Sequence, residues 1–183
     1  FYSDMKAHLL INNPAISLDC SNHAIELPAG KKIRYQKLLI ATGAKPWFPP
    51  IDGLSNQLEG IFTFYSLNDA ISLAQYIESV NPDNSVILGA GLIGLKAAEG
   101  LLMRNIPVTI IEMADRVLPN TMDVKGSEII QSYLARHNSE FIKNDTIIRI
   151  ESENNKIKRV ILKSGKQIET ECLIIAVGVR PAT

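Results

Sequence analysis

The sequence predicts an α/β fold in which a parallel sheet with helices is joined to an antiparallel β-meander. Between Ser66 and Arg136, apolar strands alternate with segments of helical periodicity, which is the pattern of a parallel sheet. Short alternating segments separated by turn residues fill the first forty positions and recur near the end, which indicates antiparallel hairpins. A length of 183 residues allows one full domain and part of another.

The individual elements follow from local patterns. An antiparallel meander is expected up to residue 30, and a buried strand over 38–41. The proline-rich segment 45–50 is expected to be a linker, because Pro lacks an amide donor and restricts the residue before it. The remaining expected elements are a helix between Ser66 and Asn81, a strand over 86–88, a helix over 92–104, a strand over 108–112, a helix over 124–136 starting near Thr121 or Asp123, and strands over 146–150, 157–162 and 173–177.

Composition excludes several classes of function. Nineteen basic residues balance nineteen acidic ones, so no net charge draws the chain to nucleic acid or to an acidic membrane. The longest apolar run, 86–95, is much shorter than the roughly 20 residues of a membrane span. Cys20 and Cys172 have neither CxxC nor metal-ligand spacing, which predicts two buried thiols, no metal site and a cytoplasmic protein.

A glycine motif lies between a predicted strand and a predicted helix. Its residues are Gly89, Ala90, Gly91, Leu92, Ile93 and Gly94. In a GxGxxG loop the first glycine allows a tight turn, the second lets a pyrophosphate approach bare backbone, and the third lets helix and strand pack closely. The helix N-terminus adds free N–H groups and a positive dipole end. The motif therefore predicts a Rossmann-like domain that binds a dinucleotide.

The choice of dinucleotide depends on the end of the next strand. Glu112 follows Gly91 by twenty-one residues, where a carboxylate accepts hydrogen bonds from the ribose hydroxyls and repels a 2′-phosphate. This favours NAD(H). Arg116 lies nearby and is the type of residue that binds a 2′-phosphate, so NADP stays open as the less favoured cofactor.

Two distant segments of the chain resemble each other. When 29–46 is set against 164–181, eight of eighteen pairs are identical at a constant offset of 135 residues, which indicates an internal repeat. Each copy ends a strand in small residues, where ligands bind in parallel sheets. We therefore expect one nucleotide near Gly178 and another near Ala41, Thr42 and Gly43. The glycine loop of the first copy is expected upstream of residue 1.

Four segments together resemble the FAD-dependent pyridine nucleotide-disulfide oxidoreductases, in the branch with NADH oxidases, rubredoxin reductases and nitrite reductase flavoproteins. They are LLIATGAKP, VILGAGLIGLKAAEGL, VTIIEMADRVLP and CLIIAVGVRPAT. The resemblance implies a partial FAD-binding domain over 1–54, made of late strands, and an NAD(P)-binding domain over 55–183. It implies that NADH reduces FAD and that electrons pass to oxygen, a disulfide, rubredoxin or a nitrite reductase centre. A homodimer in the parent protein is a further implication.

Two positions depart from the resemblance. Lys96 occupies a helix position where the family commonly has Glu, and it is expected either to steer a different acceptor or to be an ordinary surface lysine. Leu92 replaces a frequent aromatic residue. No catalytic side chain is evident, since His8, His23 and His137 have no partner motif. A single-Rossmann dehydrogenase without flavin and a non-catalytic dinucleotide-binding module remain as alternatives.

Overall fold

The computed structural model describes residues 4–5, 7–55 and 57–182. It contains two compact units, Phe1–Thr42 and Gly43–Thr183. Compactness thus divides the chain after Thr42. The domain boundary near Leu54 concerns the nucleotide that each part binds, and it stays a prediction.

The first unit contains the expected antiparallel meander. Its strands are β1 (Ser17–Asp19), β2 (Ala24–Glu26) and β3 (Lys32–Arg34), paired in the order β1-β2-β3. The strand expected over 38–41 is wrong, because this segment pairs with no described strand and Leu39 is 87% exposed. A strand needs partners for its backbone groups, and apolar sequence alone does not supply them.

In its described residues, the second unit combines a parallel sheet, three helices and a second meander. In chain order its elements are β4 (Ala44–Pro46), β5 (Ile61–Thr63), α1 (Leu67–Val80), β6 (Ser85–Leu88), α2 (Leu92–Leu102), β7 (Val108–Ile111), α3 (Val124–Ala135), β8 (Ser139–Ile142), β9 (Ile147–Glu153), β10 (Lys156–Leu162), β11 (Gln167–Glu169), β12 (Leu173–Ile175) and β13 (Val179–Pro181). The parallel sheet has the order β5-β12-β6-β7-β8, and the antiparallel one has the order β11-β10-β9. The α/β fold with a parallel sheet and a meander is confirmed.

Local hydrogen bonds set the helix ends. Ser66 and Asp69 form a reciprocal capping box at the start of α1, and Asn81 closes this helix in the left-handed conformation. Asp123 caps α3 by accepting a hydrogen bond from the Gly126 N–H at 2.7 Å. At both helix starts the capping side chain binds an amide only three residues away, which is why the sequence alone predicts these starts well.

The parallel sheet buries both of its faces. Ile87 belongs to the apolar cluster that the helices cover, whereas its neighbours Val86 and Leu88 belong to the cluster that contains the meander residues Ile150 and Val160. Alternate residues of a strand point to opposite faces, so a continuous apolar strand is what a sheet covered on both sides requires. This packing fixes the position of the loop that follows β6.

The internal repeat is present in the structure. Leu27 N–H donates to the Lys31 carbonyl at 2.7 Å, and Leu162 N–H donates to the Lys166 carbonyl at 2.9 Å, with the same offset of 135. The bounds of β3 and β11 also differ by this offset. The similarity of the two segments therefore extends from residue type to backbone hydrogen bonding.

The ends of the two repeats pair with each other in a two-stranded ribbon of β4 and β13. Trp47 N–H donates to the Gly178 carbonyl at 3.1 Å, and Ala182 N–H donates to the Gly43 carbonyl at 3.0 Å. These two bonds exchange equivalent residues of the repeats, so the ribbon has a local two-fold axis. The linker expected over 45–50 is thus partly wrong, because its first residues form β4 through a partner over 130 positions away.

The two cysteines lie in different surroundings. Cys172 is buried, as expected, but Cys20 is exposed in the turn after β1, so the expectation of two buried thiols is wrong for Cys20. No helix in the described part of the chain is long and apolar enough to cross a membrane.

Candidate dinucleotide site

The glycine loop connects the carboxyl end of β6 to the start of α2. Gly91 is the N-cap of α2, and among the described residues no side chain caps this helix end. The first helical turn of any α-helix has N–H groups without intrahelical partners, and the helix dipole is positive there. The loop thus offers uncapped amides to an anion.

Glycine is suited to each of the three positions of the motif for a different structural reason. Gly89 has a φ of +106°, and a β-carbon there would lie 2.5 Å from the Ala176 carbonyl oxygen. At Gly94 a β-carbon would overlap the Gly89 carbonyl oxygen. At Gly91, however, a β-carbon would meet no described heavy atom within 4 Å. Packing therefore explains Gly89 and Gly94, whereas Gly91 borders open space at the start of α2.

Glu112 joins the end of β7 to this loop. Its Oε2 accepts a hydrogen bond from the Ala90 N–H at 2.8 Å, and its Oε1 accepts one from the Ala114 N–H at 2.9 Å. The carbonyl of Ala90 in turn accepts a hydrogen bond from the Leu118 N–H at 3.0 Å. The motif and its acidic partner, separated in sequence, are thus in direct contact.

Arg116 is bound within its own turn. Its Nη1 donates to Asp115 Oδ1 at 2.9 Å, and its Nη2 donates to the Pro119 carbonyl at 3.1 Å. Two of the donors that a 2′-phosphate would need are therefore already engaged.

The strand end near Gly178 lies beside the glycine loop. Ala176 N–H donates to the Leu88 carbonyl at 2.8 Å, and the Ala176 carbonyl is the atom that excludes a side chain at Gly89. Gly178 follows with a φ of +107°, which favours glycine. Its contact with a nucleotide stays a prediction.

The residues expected near a second nucleotide lie on either side of the point in the sequence where the first unit ends. Ala41 and Thr42 are exposed at the end of the first unit, and Gly43 begins the second with a φ of +74°. Their role in binding FAD stays a prediction.

Three other side chains named from the sequence have local partners. Lys96 is exposed and forms an ion pair with Glu99 one turn later. His137 Nδ1 lies 2.7 Å from the Tyr133 carbonyl, and the ring of His23 stacks on that of Tyr35. Within the described ranges, no group of three or more His, Cys, Asp or Glu side chains could hold a metal ion.

Sequence reasoning missed Leu118. This residue is buried, has a φ of +49° and donates its N–H to the glycine loop. Leucine rarely adopts a positive φ, so no residue-type signal points to this conformation. The neighbouring Val117 carbonyl accepts a hydrogen bond from the buried Ser127 hydroxyl at 2.7 Å, which α3 supplies.

A parallel sheet with a glycine loop at a strand end, an uncapped helix behind it and a carboxylate at the next strand end defines a dinucleotide-binding α/β protein. The chain belongs to the pyridine nucleotide-disulphide oxidoreductase family, whose pattern matches residues 4–183. The family resemblance noted from the four sequence segments is confirmed.

Known relatives agree with this assignment. The chain is 32% identical over 177 residues to an NADH oxidase from Methanocaldococcus jannaschii, covering 94% of this chain and 39% of the relative. It is 26% identical to the rubredoxin-NAD(+) reductase of Ectopseudomonas oleovorans, covering 99% and 46%. The structure of an NAD-dependent persulfide reductase from A. fulgidus matches with a TM-score of 0.85 at 29% identity, covering 100% and 34%. The chain thus spans less than half the length of these relatives.

Proposed function

We propose that this chain is the NAD(H)-binding part of an NADH-dependent FAD oxidoreductase, with residues 55–183 binding NAD(H) and residues 1–54 forming part of an FAD-binding domain. The observation that carries the proposal is the open space above Gly91 at an uncapped helix N-terminus, beside the Glu112 carboxylate. Relatives named as an NADH oxidase and a rubredoxin-NAD(+) reductase support it.

In this proposal each loop residue has a stated role. The backbone around Gly91 receives the pyrophosphate, because no side chain fills the space there. The amides of Leu92 and Ile93, at the start of α2, stabilise its negative charge. Glu112 accepts hydrogen bonds from the ribose hydroxyls with the lone pairs that its two backbone contacts leave free.

When bound, the nicotinamide supplies a hydride and the flavin accepts it. The chain contributes binding and orientation. The side chains of Leu92 and Ile93 are 59% and 49% exposed beside the loop, which gives a nicotinamide ring an apolar surface in place of an aromatic one. In this proposal Gly178 contacts the NAD(H), and Ala41, Thr42 and Gly43 contact the FAD.

NAD(H) is preferred to NADP(H) in this proposal. A 2′-phosphate would place its charge against the Glu112 carboxylate. Two of the five N–H donors of Arg116 are already engaged by Asp115 and Pro119, which leaves fewer of them for that phosphate. The two observations act in the same direction.

The repeat favours a flavoprotein over a dehydrogenase with a single nucleotide domain or a non-catalytic module. Equivalent hydrogen bonds in the two copies imply two similar domains, and each such domain holds one dinucleotide. The electron acceptor in this proposal is a redox protein or a small molecule, and the parent is a cytoplasmic homodimer. Lys96 is a candidate for steering the acceptor.

Titration of the chain with NADH and NADPH by isothermal calorimetry tests the cofactor assignment. We expect NADH to bind at least about tenfold more tightly, which corresponds to about 1.4 kcal/mol. Arg116→Ala serves as a matched variant, because it should leave NADH binding unchanged. Equal or tighter binding of NADPH would contradict the role of Glu112. The full-length protein is purified and then incubated with FAD. If it holds no flavin after this treatment, the flavoprotein assignment is contradicted.

A further inference from the structure

Ala90 is bound through both of its backbone groups, although it is a variable position of the glycine motif. Ala90 is fully buried. Its N–H donates to Glu112 at 2.8 Å and its carbonyl accepts from Leu118 at 3.0 Å. A buried backbone group without a partner is costly, so loss of either contact would favour a different loop conformation.

Both partners of Ala90 are themselves fixed. The Glu112 N–H donates to the Ile142 carbonyl at 2.9 Å, and the Glu112 carbonyl accepts from the Asp145 N–H at 3.1 Å. The carboxylate therefore starts from a backbone that is bound on both sides. Its second oxygen is bound to Ala114, which restricts the rotation of the carboxylate.

Leu118, whose N–H binds the Ala90 carbonyl, has an unusual backbone conformation with a φ of +49°. A bulky residue at a positive φ is strained, and such strain persists only where surrounding contacts enforce it. The contacts here are the bond from Leu118 N–H to Ala90, the bonds that the Leu118 carbonyl accepts from Thr121 and Met122, and the Ser127 hydroxyl on the carbonyl of Val117.

We propose that Glu112 and Leu118 are positioning residues, which clamp Ala90 and hold the glycine loop in its phosphate-binding shape before a nucleotide arrives. This rests on the proposed nucleotide site. It assigns Glu112 a task beyond its contact with the ribose. A loop that is already ordered binds a ligand more tightly, because less conformational entropy is lost on binding.

The clamp and simple electrostatics predict opposite effects of removing the Glu112 charge. The carboxylate lies next to the loop, so its removal alone would strengthen the binding of an anion that makes no ribose contact. If the carboxylate orders the loop, its removal weakens the binding of the same anion. Inorganic pyrophosphate is such a probe, because it has no ribose.

The experiment uses the chain of 183 residues and amide NMR signals assigned to Gly91 and Leu92. Pyrophosphate is titrated into the wild type, Glu112→Ala, Glu112→Gln and the control Glu128→Gln, which removes an exposed carboxylate on α3. Hydrogen exchange at the Ala90 amide is measured in each protein without ligand. Gln retains one carbonyl oxygen as an acceptor, so Glu112→Gln keeps the size of the side chain and part of the clamp.

We expect Glu112→Ala to speed exchange at Ala90 about tenfold and to weaken pyrophosphate binding several-fold, with Glu112→Gln in between and the control like the wild type. Unchanged exchange at Ala90, or unchanged or tighter pyrophosphate binding by Glu112→Ala, would overturn the proposal. If the wild type binds neither pyrophosphate nor NADH, the proposed function fails, and the exchange rates of the ligand-free proteins still decide whether the clamp exists.

Ser127→Ala tests the Leu118 side without altering any group at the loop. Loss of its hydroxyl leaves the Val117 carbonyl without that bond. We expect faster exchange at the Leu118 amide and weaker pyrophosphate binding. Unchanged values of both would overturn the role of Leu118.

Discussion

Gly91→Ala separates binding from folding at the glycine loop. The Gly91 backbone has a φ of −76°, which alanine adopts freely, and a β-carbon there meets no described atom within 4 Å. Alanine is a poorer N-cap than glycine, so the free energy of unfolding should fall by less than about 1 kcal/mol. The new methyl group occupies the space assigned to the pyrophosphate. We expect NADH to bind at least about tenfold more weakly, a loss of about 1.4 kcal/mol.

Gly94→Ala is the matched comparison, since it adds the same methyl group three residues later. There the methyl group would overlap the Gly89 carbonyl oxygen and approach the Ile87 side chain to 3.4 Å. Helix α2 must then shift away from β6, at a cost of about 3 kcal/mol. This variant should lose stability, and it should lose binding as a consequence.

The assay combines urea unfolding, followed by circular dichroism, with calorimetric titration of NADH. If Gly91→Ala bound NADH as tightly as the wild type does, the assignment of the open space to the pyrophosphate would be refuted. Equal destabilisation by the two substitutions would refute the packing argument.

Three further predictions concern stability and thiol reactivity. A β-carbon at Gly100 meets no described atom within 4 Å, so Gly100→Ala should raise the free energy of unfolding by about 0.5 to 1 kcal/mol through helix propensity, measured in urea. Burial acts to raise the pKa of Asp69, but bonds from the Tyr65 N–H and other donors hold it below its ordinary value of 3.8. The stability that ionised Asp69 contributes is therefore present above pH 3.8 and lost as the pH falls through its folded pKa, and Asp69→Asn should flatten this part of the acid unfolding curve. Burial raises the pKa of Cys172 to about 11, so a thiol reagent at neutral pH should label only the exposed Cys20 in the native protein.

Each of these has a clear contrary result. A lower free energy of unfolding for Gly100→Ala would show that the helix surface there is already filled. An acid unfolding curve unchanged by Asp69→Asn would show that this carboxylate contributes no pH-dependent stability. Labelling of native Cys20→Ser at neutral pH would show that Cys172 is accessible.

Helix starts and the glycine motif were predictable from the sequence for a common reason. The N-caps Ser66 and Asp123 bond to amides three residues away, so the residues that decide the structure are close together along the chain. At Gly89 and Gly94 the residue type itself records a requirement, because any side chain would meet backbone atoms.

Short strands are the elements that the sequence predicts least well. No sequence pattern predicts β5 and β8, which lie at the edges of the parallel sheet, and the proline-rich sequence that contains β4 predicts a linker. The apolar pattern of segment 38–41 predicts a strand, but this segment pairs with no described strand. A strand of three or four residues depends on its partners for hydrogen bonds, and those partners lie far away in sequence.

By itself, the sequence determined the parallel sheet with its helices, the glycine loop at the end of β6, the repeat and the place of Glu112 directly after β7. Only the tertiary structure showed that Glu112 and Leu118 bind the same residue, Ala90, from its two sides. Local backbone requirements leave a trace in residue type, as glycine does at a positive φ. A hydrogen bond to a backbone group leaves no trace in the residue that supplies that group, because every residue except proline carries the same N–H and carbonyl, and folding alone decides which partner each of them meets.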